Sequence, residues 1–270
     1  MIDNEIKNLF DNSKNKSRKL EKYFFAYDEL FRKYKNQDVT LVEIGIHNGG
    51  SLDIWRSFFS AKSRIIGIDL NPECKRFERN GIEVFIGNQS DPNFWNTFFK
   101  EVGMVDIIID DGGHSNIDQI ITLISTVDKI NDGGILAVED THTSYISLYN
   151  SSKKYSFIEF SKKIIDDINL KFDKNFKQFK FSLSDCIYSV QTFESIVAFK
   201  IDRKKCDFSR LIENQGKDHA IKDILGIGSE LNIKVLKKYL SFFKPIIRLN
   251  KFTKFVKDKI NNKIVSKYFK

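Results

Sequence analysis

Residues 40–51 read TLVEIGIHNGGS. A run of Leu, Val and Ile that breaks into glycines reads as a buried strand entering a turn. The glycines let the backbone come close to a ligand, and the helix that follows offers unpaired N–H groups to it. Working outward, TLVEIGI (40–46) is the first of five such runs. The others are RIIGID (64–69), IEVFIG (82–87), VDIIID (105–110) and GILAVE (134–139), each ending in Gly or an acid. The segments between them are long enough for a helix or a connecting loop. This alternation predicts an α/β fold, a Rossmann-like doubly wound and mostly parallel sheet. Ligands of such sheets bind outside the carboxyl ends of the strands, near the point where strand order reverses.

The flanks read differently. Tyr23, Phe24, Tyr27, Leu30, Phe31 and Tyr34 fall on one helical face, at the spacing of core packing. Beyond residue 150, residues 156–172 look helical. Residues 177–183 and 195–201 look like strands, with 187–193 a third apolar run beside them, close enough for an antiparallel edge of the sheet. The expected organisation is a helical cap over 1–38, the sheet domain over 39–205 and a basic helical extension over 206–270.

Composition bounds the function. With 270 residues, 41% hydrophobic, and only 14 Gly and 3 Pro, the chain can bury a sizeable core and is neither disordered nor collagen-like. Cys74, Cys186 and Cys206 lack the pairing of a disulfide scaffold or zinc site and read as reduced thiols of a cytoplasmic protein. The opening MIDNEIKNLF has no signal-peptide pattern, and no window approaches 18 uncharged apolar residues. The net charge of +8 is uneven: residues 231–270 carry +11 and the rest −3. Apolar residues interleave with Lys in that tail. It reads as the solvated face of C-terminal helices, as a surface packed on a partner, or as a peripheral contact with the inner face of an anionic membrane. The negative body argues against a nucleic-acid partner.

The chemistry-bearing residues sit at the predicted strand ends. In the dinucleotide register the first loop reads Gly45-x-His47-x-x-Gly50; a histidine in the middle position crowds a pyrophosphate, which weakens a nicotinamide or flavin reading. Asp69, 24 residues beyond Gly45, can accept from both hydroxyls of a ribose. In GNQSD (87–91), Asn88, Gln89 and Asp91 suit an adenine edge; equally, Asp91 before Pro92 suits a helix cap. IIIDDGGH brings Asp110, Asp111 and His114, and AVEDTH brings Glu139, Asp140 and His142. Adjacent strands would gather four carboxylates and two imidazoles, a repulsive set unless protons or a cation compensate. Oxygen-rich groups of this kind suit Mg²⁺, Mn²⁺ or Ca²⁺. Ser51, in the first loop, and Asp110 are assigned to the cofactor side.

Together EIGIHNGGS, Asp69, GNQSD, IIIDDGGH and VEDTHTSY resemble class I S-adenosylmethionine-dependent methyltransferases, and more narrowly the metal-dependent sugar O-methyltransferases of macrolide biosynthesis, with relatives in surface-polysaccharide pathways. The resemblance covers about residues 20–200. Its specific element is D-D-G-x-H followed, 28 residues after the second Asp, by E-D. It implies S-adenosylmethionine and Mg²⁺ as cofactors. It makes Asp111, Glu139 and Asp140 the metal ligands, His114 the general base, and Glu43, Gly45, Asp69 and Gln89 cofactor contacts. Tyr145 lies near the acceptor, and His142 is assigned beside it. The expected acceptor is a sugar, nucleotide-sugar or phosphorylated glycan precursor; homo-oligomerisation is left open. The competing reading is a non-catalytic nucleotide or cofactor binder or an NAD-dependent oxidoreductase; a dehydrogenase has no need of two acidic pairs at adjacent strand ends.

Overall fold

The computed structural model describes residues 4–79, 81–149, 155–171, 181–210 and 212–217. The chain divides into two compact units, Met1–Arg210 and Leu211–Lys270, and the following concerns the first. The basic tail at 231–270 lies outside the described residues.

The five runs are five parallel strands: β1 (Thr40–Ile44), β2 (Arg64–Asp69), β3 (Ile82–Ile86), β4 (Val105–Asp110) and β5 (Ile130–Val138). β6 (Ile187–Phe193) and β7 (Ile196–Ile201) complete a sheet of order β3-β2-β1-β4-β5-β7-β6. β7 runs antiparallel to both β5 and β6. The antiparallel edge is therefore the hairpin of 187–193 with 196–201, closed by Glu194 and Ser195, the latter at φ 67°. Residues 181–183 are not a strand, and 177–180 lie outside the described residues. A two-residue turn with a positive φ matches the twist of the flanking strands, which makes these two runs natural partners.

Before β1 lie helices α1 (Glu5–Asp11) and α2 (Tyr23–Phe31). Helices α3 (Gly50–Phe58), α4 (Pro92–Val102), α5 (Asn116–Thr126) and α6 (Phe157–Leu170) follow β1, β3, β4 and β5 in turn. Alternate strand residues point to opposite faces. Leu41, Ile107 and Ile109 join one core layer with Tyr27, Phe31 and Trp55; Val42, Ile44 and Ile108 join the other with Trp95, Phe98 and Leu123. Both faces are covered, which is why the inner parallel strands are predominantly apolar.

The register aligns the strand ends. Ile44 pairs with Ile68 on one side and Asp110 on the other, and Asp110 with Val138. Strand order reverses between β1 and β4, so Gly45, Asp69, Asp111 and Glu139 leave the sheet side by side at the switch point.

Candidate active site

A pocket of about 650 Å³ opens at this edge. Its size falls in the range for small-molecule sites. It is lined by Gly45, His47, Asn48 and Ser51 of the first loop, Asp69, Asn88 and Gln89, and Asp111–His114 with Asp140; Lys16, Ser17 and Arg18 close one side.

Gly45 has φ 85°, and a Cβ there would stand 2.0 Å from the carbonyl oxygen of Asp111. The glycine therefore lets the β1 and β4 loops touch, and the close approach that sequence suggested for a ligand is made first by the neighbouring loop. Gly49, at φ 71°, turns the chain into α3. Asp69 accepts from the His47 N–H at 3.0 Å and the Asn71 N–H at 2.9 Å, which fixes its carboxylate at the rim.

Gln89 braces the β4 loop. Its amide donates to Asp110 Oδ1 at 2.9 Å and Thr122 Oγ1 at 3.1 Å, and its carbonyl accepts from the Gly113 N–H at 2.7 Å. Asp110 is buried, also accepts from the Gly112 N–H, and does not line the pocket; burial pushes its carboxyl up to about 6. Asp91 caps α4 by accepting from the Asn93 N–H at 2.9 Å and lies outside the pocket lining, so the capping reading is the one the structure realises.

Asp111, His114 and Asp140 converge. One ligand atom from each lies within 4.8 Å of the others, and all three side chains are partly exposed to the pocket. His114 Nε2 is 3.5 Å from Asp140 Oδ2 and 4.0 Å from Asp111 Oδ1. Its Nδ1 is buried and, among the described residues, has no hydrogen-bond partner. Both His114 and Asp140 adopt left-handed backbone conformations, φ 57° and 53°. Such strain at non-glycine residues persists where the surroundings over-determine it. Here Thr143 Oγ1 ties the two together, donating within reach of the His114 carbonyl at 2.7 Å and the Asp140 carbonyl at 2.8 Å.

Glu139 is turned inward, fully buried and absent from the pocket lining. Its oxygens are taken by Lys19 Nζ at 2.8 Å and the Tyr27 hydroxyl at 2.5 Å. Lys19 also donates to Asp111 Oδ2 at 2.7 Å and stands 3.8 Å from Glu43 Oε1. Burial alone would lower the Lys19 ammonium, but the charges of Asp111, Glu139 and Glu43 outweigh it and hold it well above its ordinary value. Burial raises Glu139 and Glu43, each pulled back by Lys19. The Tyr23 hydroxyl donates to Asp140 and accepts from the Asp140 N–H at 3.0 Å.

Lys19, Tyr23 and Tyr27 were not among the residues expected from sequence. Their signal was indirect: two tyrosines one turn apart on a buried face must each find a partner for the hydroxyl. Of the acceptor-side residues, His142 bonds Ser195 on the hairpin, and Tyr145 lies exposed in the turn Thr141–Tyr145; neither lines the pocket.

No family model matches the chain. It is 30% identical over 159 residues to a rhamnosyl tetracenomycin-C 2'-O-methyltransferase of Streptomyces olivaceus, a match covering 54% of this chain and 41% of the relative. It is 34% identical over 126 residues to mycinamicin VI 2''-O-methyltransferase of Micromonospora griseorubida, covering 44% and 31%. The chain thus spans less than half the length of these relatives. Among solved structures it resembles the MycE methyltransferase of the mycinamycin pathway, in complex with Mg and SAH, at TM-score 0.65 and 25% identity over 74% of this chain and 54% of that one. The chain has the class I S-adenosylmethionine-dependent methyltransferase fold and is similar in sequence to sugar O-methyltransferases.

Proposed function

We propose that the chain transfers a methyl group from S-adenosylmethionine to a sugar hydroxyl with the help of a divalent metal. The convergence of Asp111, His114 and Asp140 at the end of the glycine-loop pocket carries this reading. The two carboxylates at the pocket rim are oxygen donors suited to Mg²⁺ or Mn²⁺, and the imidazole beside them keeps Nε2 free to act as a base. The cofactor would supply an electrophilic methyl, and the metal would lower the pKa of the acceptor oxygen.

The chain's own residues do the rest. Asp69, fixed by the His47 and Asn71 N–H groups, would accept from ribose hydroxyls, and the glycine loop with Asn48 and Ser51 would line the same cofactor pocket. His114 Nε2 takes the hydroxyl proton as the new O–C bond forms and the S–C bond breaks. Asp140, beside that nitrogen, stabilises the resulting imidazolium. Tyr23 holds Asp140 in position. Natural-product sugars and surface glycans both carry such hydroxyls; the named relatives favour the former.

Titration of metal-stripped protein with S-adenosylmethionine, with NAD as control, tests the reading. Micromolar binding of the first alone is expected; binding of NAD alone would overturn it. Asp111→Ala is expected to lose stimulation by Mg²⁺ in a methyl-transfer assay, and an unchanged response to EDTA would remove Asp111 from the metal site.

A further inference from the structure

The acid cluster has two sides. On the inner side, the Lys19 ammonium, its side chain only 3% exposed, bridges Asp111 Oδ2 and Glu139 Oε2 and faces Glu43. On the outer side, Asp111 Oδ1, Asp140 Oδ2 and His114 Nε2 stand together at the pocket. Asp111 belongs to both, one oxygen to each. Lys19 is carried by the strap between α1 and α2. Ser13 Oγ donates to the Gly50 carbonyl at 3.1 Å, Asn15 donates to Asp53 at 2.9 Å, and Lys16–Arg18 line the pocket. The Lys19 ammonium also stands over the Tyr27 ring, with Nζ 5.9 Å from its centroid.

We propose that Lys19 is a built-in monovalent cation that occupies the inner half of the acid cluster, so that a divalent ion is taken only at the outer half and with reduced affinity. This rests on the metal reading above. Without Lys19, Glu43, Asp111 and Glu139 would face each other with no compensating charge, and a second or more tightly held cation would be the physical relief. With it, the three acids are held at one geometry before any metal arrives, and repulsion between the ammonium and the ion weakens binding. Lys19 is then a positioning residue: it does not line the pocket, and acts through Asp111.

The test is Mn²⁺ binding, followed by the paramagnetic signal of the free ion, in the full chain. Lys19→Gln keeps donors toward Asp111 and Glu139 but removes the charge; Lys19→Arg keeps the charge. The expected result is Mn²⁺ bound at least tenfold tighter by Lys19→Gln than by the wild type, and within threefold of the wild type by Lys19→Arg. A loss of structure would weaken binding, so the sign separates the two roles. Should Lys19→Gln fail to fold, Lys19→Met combined with Glu43→Gln removes one charge of each sign and is expected to bind within threefold of the wild type. Equal or weaker binding by Lys19→Gln, or a tenfold departure in the double variant, overturns the proposal while wild-type binding leaves the metal site standing. Absence of Mn²⁺ binding in wild type and variants alike overturns both.

Discussion

Replacing His114 by alanine is expected to lower turnover by ~10²–10⁴-fold, the usual contribution of a general base. A sugar hydroxyl holds its proton at neutral pH, and His114 Nε2 is the nitrogen base at the meeting point of the glycine-loop pocket and the acid cluster. Alanine at φ 57° adds backbone strain, so His114→Asn is the cleaner partner variant, since asparagine tolerates that conformation. Both are expected to bind S-adenosylmethionine as the wild type does, because the glycine loop, Asp69 and Asn88 are untouched. Single-turnover methyl transfer with a parallel titration separates the steps. Full activity in His114→Asn would show that another group, or solvent, takes the proton.

Gly45→Ala is expected to produce the largest loss of stability. The added methyl would meet the Asp111 carbonyl oxygen at 2.0 Å and its carbon at 2.7 Å, backbone atoms with no side-chain freedom. The positive φ adds strain of its own. Left-handed strain and overpacking each cost on the order of 1–3 kcal/mol, so a combined loss of about 3 kcal/mol follows. For a unit of this size that lowers Tm by roughly 6–12 °C. Whatever relief the fold finds must part the β1 and β4 loops, so Asp111 moves and metal affinity falls with stability. A thermal melt within 2 °C of the wild type, on the scale of less than about 1 kcal/mol, would mean that the loop contact is not tight.

The sheet was legible in sequence because the parallel strands are Ile/Val-rich runs, the inner ones buried on both faces, that run into Gly or an acid. That the ends of β1, β2, β4 and β5 lie abreast follows from the same pattern. The acids were visible as two pairs, DD and ED. What counters them was not visible. Lys19 sits in NSKNKSRKLEK, where one lysine among many reads as solvated, and only the fold selects it. Tyr23 and Tyr27 were read correctly as core, yet spacing says nothing about where a hydroxyl points. Asp91 had two sound readings, and local capping took it. The edge hairpin was partly legible: three apolar runs were seen, and the tight Glu194–Ser195 turn decides which two pair.

The links between α2 and the end of β5 join residues 112–117 positions apart, and the Tyr23 bond to Ser195 spans 172. Loops of that length close late, since their entropy is lost before the contact repays it. The central strands, paired through shorter connections, can therefore assemble first and leave the carboxylates unmatched. A refolding experiment should then show sheet formation before the ability to bind a cation, with the arrival of the first helices from the amino end as the slow, separating event.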